Sequence, residues 1–111
     1  MSMTETTDES SAVLAALADP VRRHLLDILA TRDEATATTV AKGLPISRQA
    51  VVKHFAVLTN AGLVTSRKQG REVLFSLRPE KIEITARWMA DLATGWDARL
   101  QRIKRLAESG E

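Results

Sequence analysis

Residues 45–64, "PISRQAVVKHFAVLTNAGLV", leave little choice of local structure. Pro45 breaks any helix that reaches it. Ser47 offers a hydroxyl cap to a new helix, and Gly62 can take the left-handed conformation that stops one. Wound at about 100° per residue, the stretch between them sorts into two sides. Val51, Phe55 and Leu58 cluster on one, with Ala50 and His54 on its shoulder. Arg48, Gln49, Val52 and Lys53 fan across the other, near the N-terminal end. The spacing predicts a short helix gripped from behind, with hydrogen-bond donors facing outward from its first turns.

The flanking segments say what grips it. Residues 1–11 have no apolar periodicity and read as a disordered acidic tail. From Ala12 the pattern is helical, with Val13, Leu14 and Leu17 on one face. Asp19 followed by Pro20 is a helix-start signature for a second helix over 20–31. There Val21, Leu25, Ile28 and Leu29 fall at helical spacing. "TATTVAKGL" predicts a short third helix capped by Thr36 or Thr38, with Val40, Ala41 and Leu44 turned inward. After the fourth helix, "LVTSRK" and "EVLFSL" read as two strands joined by "QGR". Val73, Phe75 and Leu77 alternate onto one face, while Leu74 breaks the polar side. Pro79 opens a long last helix in which Met89, Leu92, Trp96, Ile103 and Leu106 follow a near-heptad series. Leu100 lies beside that series, Arg99 interrupts it, and Gly95 is the place for a bend.

The expected fold is mainly α with a small β-hairpin, one domain over residues 12–108. Its 111 residues suit that size. The layout is a winged helix-turn-helix: helix-turn-helix over 36–61, wing over 63–77, and flanking helices over 12–18 and 80–108.

Charge then selects the function class. The net charge of +2 conceals three blocks. Residues 1–34 sum to −4 and residues 72–111 balance. Residues 35–71 carry Lys42, Arg48, Lys53, Arg67, Lys68 and Arg71 and no acid, a run of 37 residues at +6. A solvated surface normally mixes signs, so such a run suits a polyanion. A helix-turn-helix sends the first residues of its second helix into the major groove, where Arg48, Gln49 and Lys53 can reach base edges. Arg67, Lys68, Gln69 and Arg71 crowd the hairpin tip, within reach of phosphates or the minor groove. The composition points to double-stranded DNA. The rival is a winged-helix dimerisation or protein-interaction module without specific DNA binding, and the +6 segment argues against it.

Other classes find no support. There is no cysteine, which removes disulfides and thiolate metal sites. No nucleophile–base pair, Gly-rich phosphate loop or metal triad stands at usable spacing, so the chain does not read as an enzyme. No apolar run approaches a membrane span, and "MSMTETTDESS" is the opposite of a signal peptide. A cytoplasmic protein with no membrane partner and no cofactor is expected.

"LADPVRRHLLDIL", "ISRQAVVKHFAVLTNAGLV" and "SRKQGREVLFSL" resemble successive motifs of the ArsR-type bacterial winged-helix repressors, collinearly over residues 12–78. The resemblance implies a homodimer whose first and last helices pair across a two-fold axis. Each recognition helix would then meet one half of an imperfect inverted repeat near a repressed promoter, the protein's own included. By position it implies a recognition helix carrying Ser47, Arg48, Gln49, Lys53 and His54, and a wing carrying Arg67, Lys68 and Arg71. It assigns phosphate contacts to Thr36 and Thr38. It assigns the dimer seam to Leu14, Leu17, Trp88, Met89, Leu92, Trp96, Leu100 and Ile103. Metal-sensing members place a cysteine pair where this chain has "TTVAKGL", or histidines along the last helix, where this chain has none. The chain therefore resembles the branch without metal sites, whose small-molecule inducers are often unknown.

Three features stay open at this level. Arg22 and Arg23 suit either a neighbouring acid, such as Asp27 four residues after Arg23, or a phosphate. His54 suits packing or a phosphate better than a base edge. Trp88 and Trp96, eight apart on nearly one face, suit core or dimer packing, with a ligand pocket between helices as the alternative.

Overall fold

The computed structural model describes residues 3–109. In chain order these form α1 (Met3–Leu17), α2 (Pro20–Thr31), α3 (Ala37–Lys42), α4 (Arg48–Asn60), β1 (Val64–Gln69), β2 (Glu72–Leu77) and α5 (Glu80–Ser109). Local chemistry sets most of these boundaries. The Asp19 carboxylate accepts hydrogen bonds from the backbone N–H of Val21 (2.7 Å) and Arg22 (3.3 Å), with Pro20 as the first helical residue. Thr36, not Thr38, caps α3 by accepting from the Thr39 N–H at 3.1 Å. The Ser47 hydroxyl accepts from the Ala50 N–H at 3.1 Å and starts α4.

The end of α4 is equally specific. Gly62 takes φ +79°, which a residue with a Cβ adopts only at a cost. That conformation lets the Leu63 N–H reach the Leu58 carbonyl (2.9 Å) and the Gly62 N–H reach Thr59 (3.0 Å), a Schellman stop. Leu58 and Leu63 are both fully buried, supplying the apolar contact that goes with the motif. β1 and β2 pair antiparallel, Gln69 opposite Glu72, so two residues make the turn. Gly70 is at φ +64° and Arg71 is not left-handed, the arrangement of a type II′ hairpin.

The core lies between α2, α4 and the inner face of the hairpin. Leu25, Val51, Phe55, Leu58 and Leu63 are completely buried. The Phe55 ring stacks on Phe75 of β2 with centroids 4.2 Å apart and planes 15° from parallel, which pins the recognition helix to the wing. Ala35 adds a one-residue bridge to the outer edge of β2, exchanging both backbone hydrogen bonds with Phe75 (3.0 and 2.8 Å). The chain entering α3 is thereby tied to the wing as well.

Three expectations change. Of the tail expected over 1–11, residues 1 and 2 lie outside the described residues, and from Met3 the chain is helical. Its inner face closes with small side chains: Ser10, Val13 and Ala16 are buried, and Glu9 faces Lys81 of α5 at 3.9 Å. Arg22 meets a neighbouring acid, but it is Asp19 (3.7 Å) and not Asp27, and both arginines turn back onto α1. Arg22 donates through Nε to the Ala16 carbonyl (2.6 Å) and through a terminal nitrogen to Ala15 (3.2 Å), while Arg23 donates to Leu17 (2.6 Å). Together they cap the last turn of α1, whose carbonyls carry the negative end of the helix dipole. Finally, α5 continues through Gly95 without interruption for 30 residues.

That helix makes the chain long. Its extents are 72 × 33 × 20 Å and its radius of gyration is 19.2 Å, against about 13 Å for a compact domain of this length. Beyond Trp88, every residue of α5 up to Ser109 is exposed.

Candidate nucleic-acid interface

The side of α4 away from the core is open. Arg48, Gln49, Val52 and Lys53 are exposed, while Val51, Phe55 and Leu58 are buried and Ala50 and His54 half-buried. The division follows helical phase alone. Ser47, spent on the cap, sits at the leading tip of this face.

A groove of about 410 Å³ opens between the start of α3, the first turns of α4 and the hairpin turn. Thr36, Thr38, Thr39, Lys42, Arg48, Val52 and Arg71 line it, with Glu72, Val73 and Phe75 on the wing side. The structure thus brings together four residues predicted separately: Thr36, Thr38, Arg48 and Arg71. The Thr38 hydroxyl accepts a hydrogen bond from Arg48 Nε at 3.1 Å. This fixes the guanidinium and leaves its terminal N–H groups to address an acceptor pair. Lys42 and Thr39 were not singled out from the sequence; Lys42 could have been, since it belongs to the acid-free run. Among the described residues, Lys42, Arg48, Lys53, Lys68 and Arg71 are paired with no carboxylate. The groove and the outer side of α4 can hold a chain of phosphates while presenting donors to base edges.

The wing divides differently from the prediction. In the register, Lys68 lies opposite Val73 on the inner face, and Arg67 lies opposite Leu74 on the outer one. Gln69, two residues on from Arg67, shares the outer face. Arg67 there makes a two-pronged ion pair with Glu34, at 2.5 Å from Nε and 2.7 Å from the second nitrogen. The pairing holds the Glu34 carboxyl below its ordinary range, against a partial desolvation that pushes the other way, and raises Arg67 further. Arg67 was grouped with Lys68 and Arg71 because they are neighbours in the chain; the pleat separates them.

His54 sits on the α4 shoulder toward the start of α2. Partial desolvation pushes the Asp19 carboxyl up, but its two backbone hydrogen bonds, Arg22 and nearby His54 bring it below its ordinary range. Among the described residues no group of three or more His, Asp or Glu could hold a metal ion, and no helix is long and apolar enough to cross a membrane.

Comparison with known proteins agrees with this arrangement. A helix-turn-helix domain family model matches residues 17–67. Over 78 residues the chain is 41% identical to the uncharacterized HTH-type transcriptional regulator YuzN of Bacillus subtilis, covering 63% of this chain and 85% of that one. A solved ArsR-like transcriptional regulator from Rhodococcus sp. RHA1 superposes with a TM-score of 0.84 at 40% identity, over 95% of this chain and 98% of that one. The chain belongs to the ArsR-type winged-helix transcriptional regulators. As a member it is a DNA-binding regulator of transcription and not an enzyme. A more distant relative, the transcriptional repressor SdpR of Bacillus subtilis, is 28% identical over 77% of this regulator and 93% of its own length.

The residues assigned to a dimer seam fall into two groups. Leu17 is half-buried against this regulator's own core, and Trp88 is also half-buried. Leu14, Met89, Leu92, Trp96, Leu100 and Ile103 are exposed, Trp96 at 57% and Leu100 at 64%.

Proposed function

We propose that this regulator is a homodimeric, sequence-specific repressor that binds an imperfect inverted repeat near its own promoter. The observation that carries the reading is the convergence of Thr36, Thr38, Arg48 and Arg71 on one groove beside the open donor face of α4. Gln49 and Lys53 read base edges, Val52 offers an apolar contact to a thymine methyl, and Arg48 addresses an acceptor pair with its fixed guanidinium. Thr36, Thr38, Lys42 and Arg71 hold phosphates, and Lys68 extends the contact along the wing. His54 serves the α2–α4 junction rather than a base. Ser47 contributes as cap and leading hydroxyl.

Dimerisation is supported by α5. Met89, Leu92, Trp96, Ile103 and Leu106 repeat, all exposed, down one side of the part of α5 that extends beyond its own domain. A second copy of the same stripe, with Leu14 and Leu100 beside it, removes those side chains from water about a two-fold axis. Two recognition helices then lie about 34 Å apart, one turn of DNA. Repression is supported by the named activity of SdpR. The chain carries no cysteine and no histidine on α5, so its signal is not read by those metal ligands; a small-molecule inducer would lodge between the paired helices near Trp96.

The test combines sedimentation with selection of duplexes from a random pool. The reading expects a dimer that enriches inverted half-sites about 10 base pairs apart, and a W96E variant that sediments as a monomer and enriches nothing. A monomeric wild type, or enrichment of single or directly repeated half-sites, contradicts it.

A further inference from the structure

The ion pair between Glu34 and Arg67 has no part in the interface as described. Glu34 is the last residue before the acid-free run, and Arg67 is one of that run's six cations. They are 33 positions apart in sequence. The bridge between Ala35 and Phe75 places Glu34 beside the outer face of the hairpin, and the alternation of β1 places Arg67 on that face. The carboxylate then meets the guanidinium with two parallel hydrogen bonds, the geometry with which arginine also grips a phosphate.

We propose that Glu34 stands in for a phosphate: it keeps Arg67 out of the DNA contact and fixes the slant of the wing, so that the wing meets the duplex through Lys68 and Arg71. The inference rests on the wing being a DNA contact. Three observations carry it. Arg67 lies on the face of the sheet opposite Val73 and Phe75, which line the groove. Both of its bonded nitrogens are taken by one carboxylate. Glu34 is itself anchored by the backbone bridge at Ala35, so its carboxylate is delivered at a set distance from the sheet. Glu34 is a positioning residue on this account. It determines how many cations the wing offers: of Arg67, Lys68 and Arg71, two are left to the DNA.

The number of phosphates neutralised is read from salt dependence, because each contact contributes about 0.9 to the slope of log affinity against log salt concentration. Binding of the full chain to a random-sequence duplex is measured by fluorescence anisotropy over a range of sodium chloride concentrations. Removing the carboxylate charge in E34Q releases Arg67, and the slope steepens by about 0.9 for each wing, or about 1.8 for a dimer. R67Q leaves the slope at its wild-type value, the double variant E34Q/R67Q returns to it, and E34D restores most of it. A purely structural role for Glu34 lowers affinity without steepening the slope, and that result overturns the proposal. So does a flattened slope in R67Q, which shows that Arg67 leaves Glu34 for a phosphate in the wild type. K68Q and R71Q separate the two levels of the argument. If neither flattens the slope, the wing contact itself is refuted; if both do and E34Q has no effect on slope, this inference alone fails.

Discussion

Replacing Phe55 by alanine removes the one ring that joins the recognition helix to the wing. Phe55 is completely buried and lies against Phe75 at 4.2 Å in a near-parallel stack. Truncating a buried phenylalanine costs about 3–5 kcal/mol, the lost transfer of the ring plus the cavity it leaves. The stack with Phe75 accounts for about 1 kcal/mol of that. A domain of this size is stable by about 5–15 kcal/mol, so F55A forfeits about a fifth or more of its stability. At roughly 4–8 °C per kcal/mol, the melting temperature falls by on the order of 12–40 °C. Circular dichroism at fixed protein concentration measures this, the concentration being held because dimerisation feeds into apparent stability. V52A, on the same helix but exposed, serves as control and changes stability by no more than about 0.5 kcal/mol. A loss below about 1 kcal/mol in F55A would refute the claim that this contact fixes the wing to the helix.

The remaining predictions concern charge. Asp19 and Glu34 are both held below their ordinary carboxylate range by partners present only in the fold. A carboxyl with a depressed folded pKa contributes stability above its unfolded value, about 4, and loses it as pH falls through the folded one. Stability should therefore decline on acidification below about pH 4.5, and D19N and E34Q should each soften that decline when unfolding is followed by urea titration at several pH values; an unchanged acid profile would contradict the assignments. On DNA, R48A should cost about 1–3 kcal/mol on the selected duplex and relax base preference, while R71A should weaken all sequences alike and flatten the salt slope by about 0.9 per contact. Equal losses of preference in both variants would show that the two arginines do not divide the work in this way.

Much of the architecture was legible because the punctuation is local. Asp19–Pro20, Thr36, Ser47 and Gly62 each fix a helix end within two or three residues of themselves, and their caps form where the spacing predicts. The open and buried sides of α4 followed from helical phase alone. What escaped notice depends on distant partners. The N-terminal half of α1 carries almost no hydropathy signal, and the first buried side chain among those described there is a serine, Ser10. Nothing in "PVRR" announces that both arginines turn back onto the carbonyls of the preceding helix. The pairing of Arg67 with Glu34 spans 33 positions, yet half of it was readable: strand alternation already puts Arg67 and Lys68 on opposite faces. Grouping cations by adjacency along a strand ignored a period of two.

The central claim is that a basic groove and the acid-free face of α4 recognise a particular DNA sequence. It is tested most directly by the affinity of the wild-type protein for its selected duplex and for a random duplex, each measured across salt concentrations. Specific binding should exceed random binding by about 10³-fold or more, with both falling steeply as salt rises. Equal affinity for the two duplexes, or binding indifferent to salt, would contradict it.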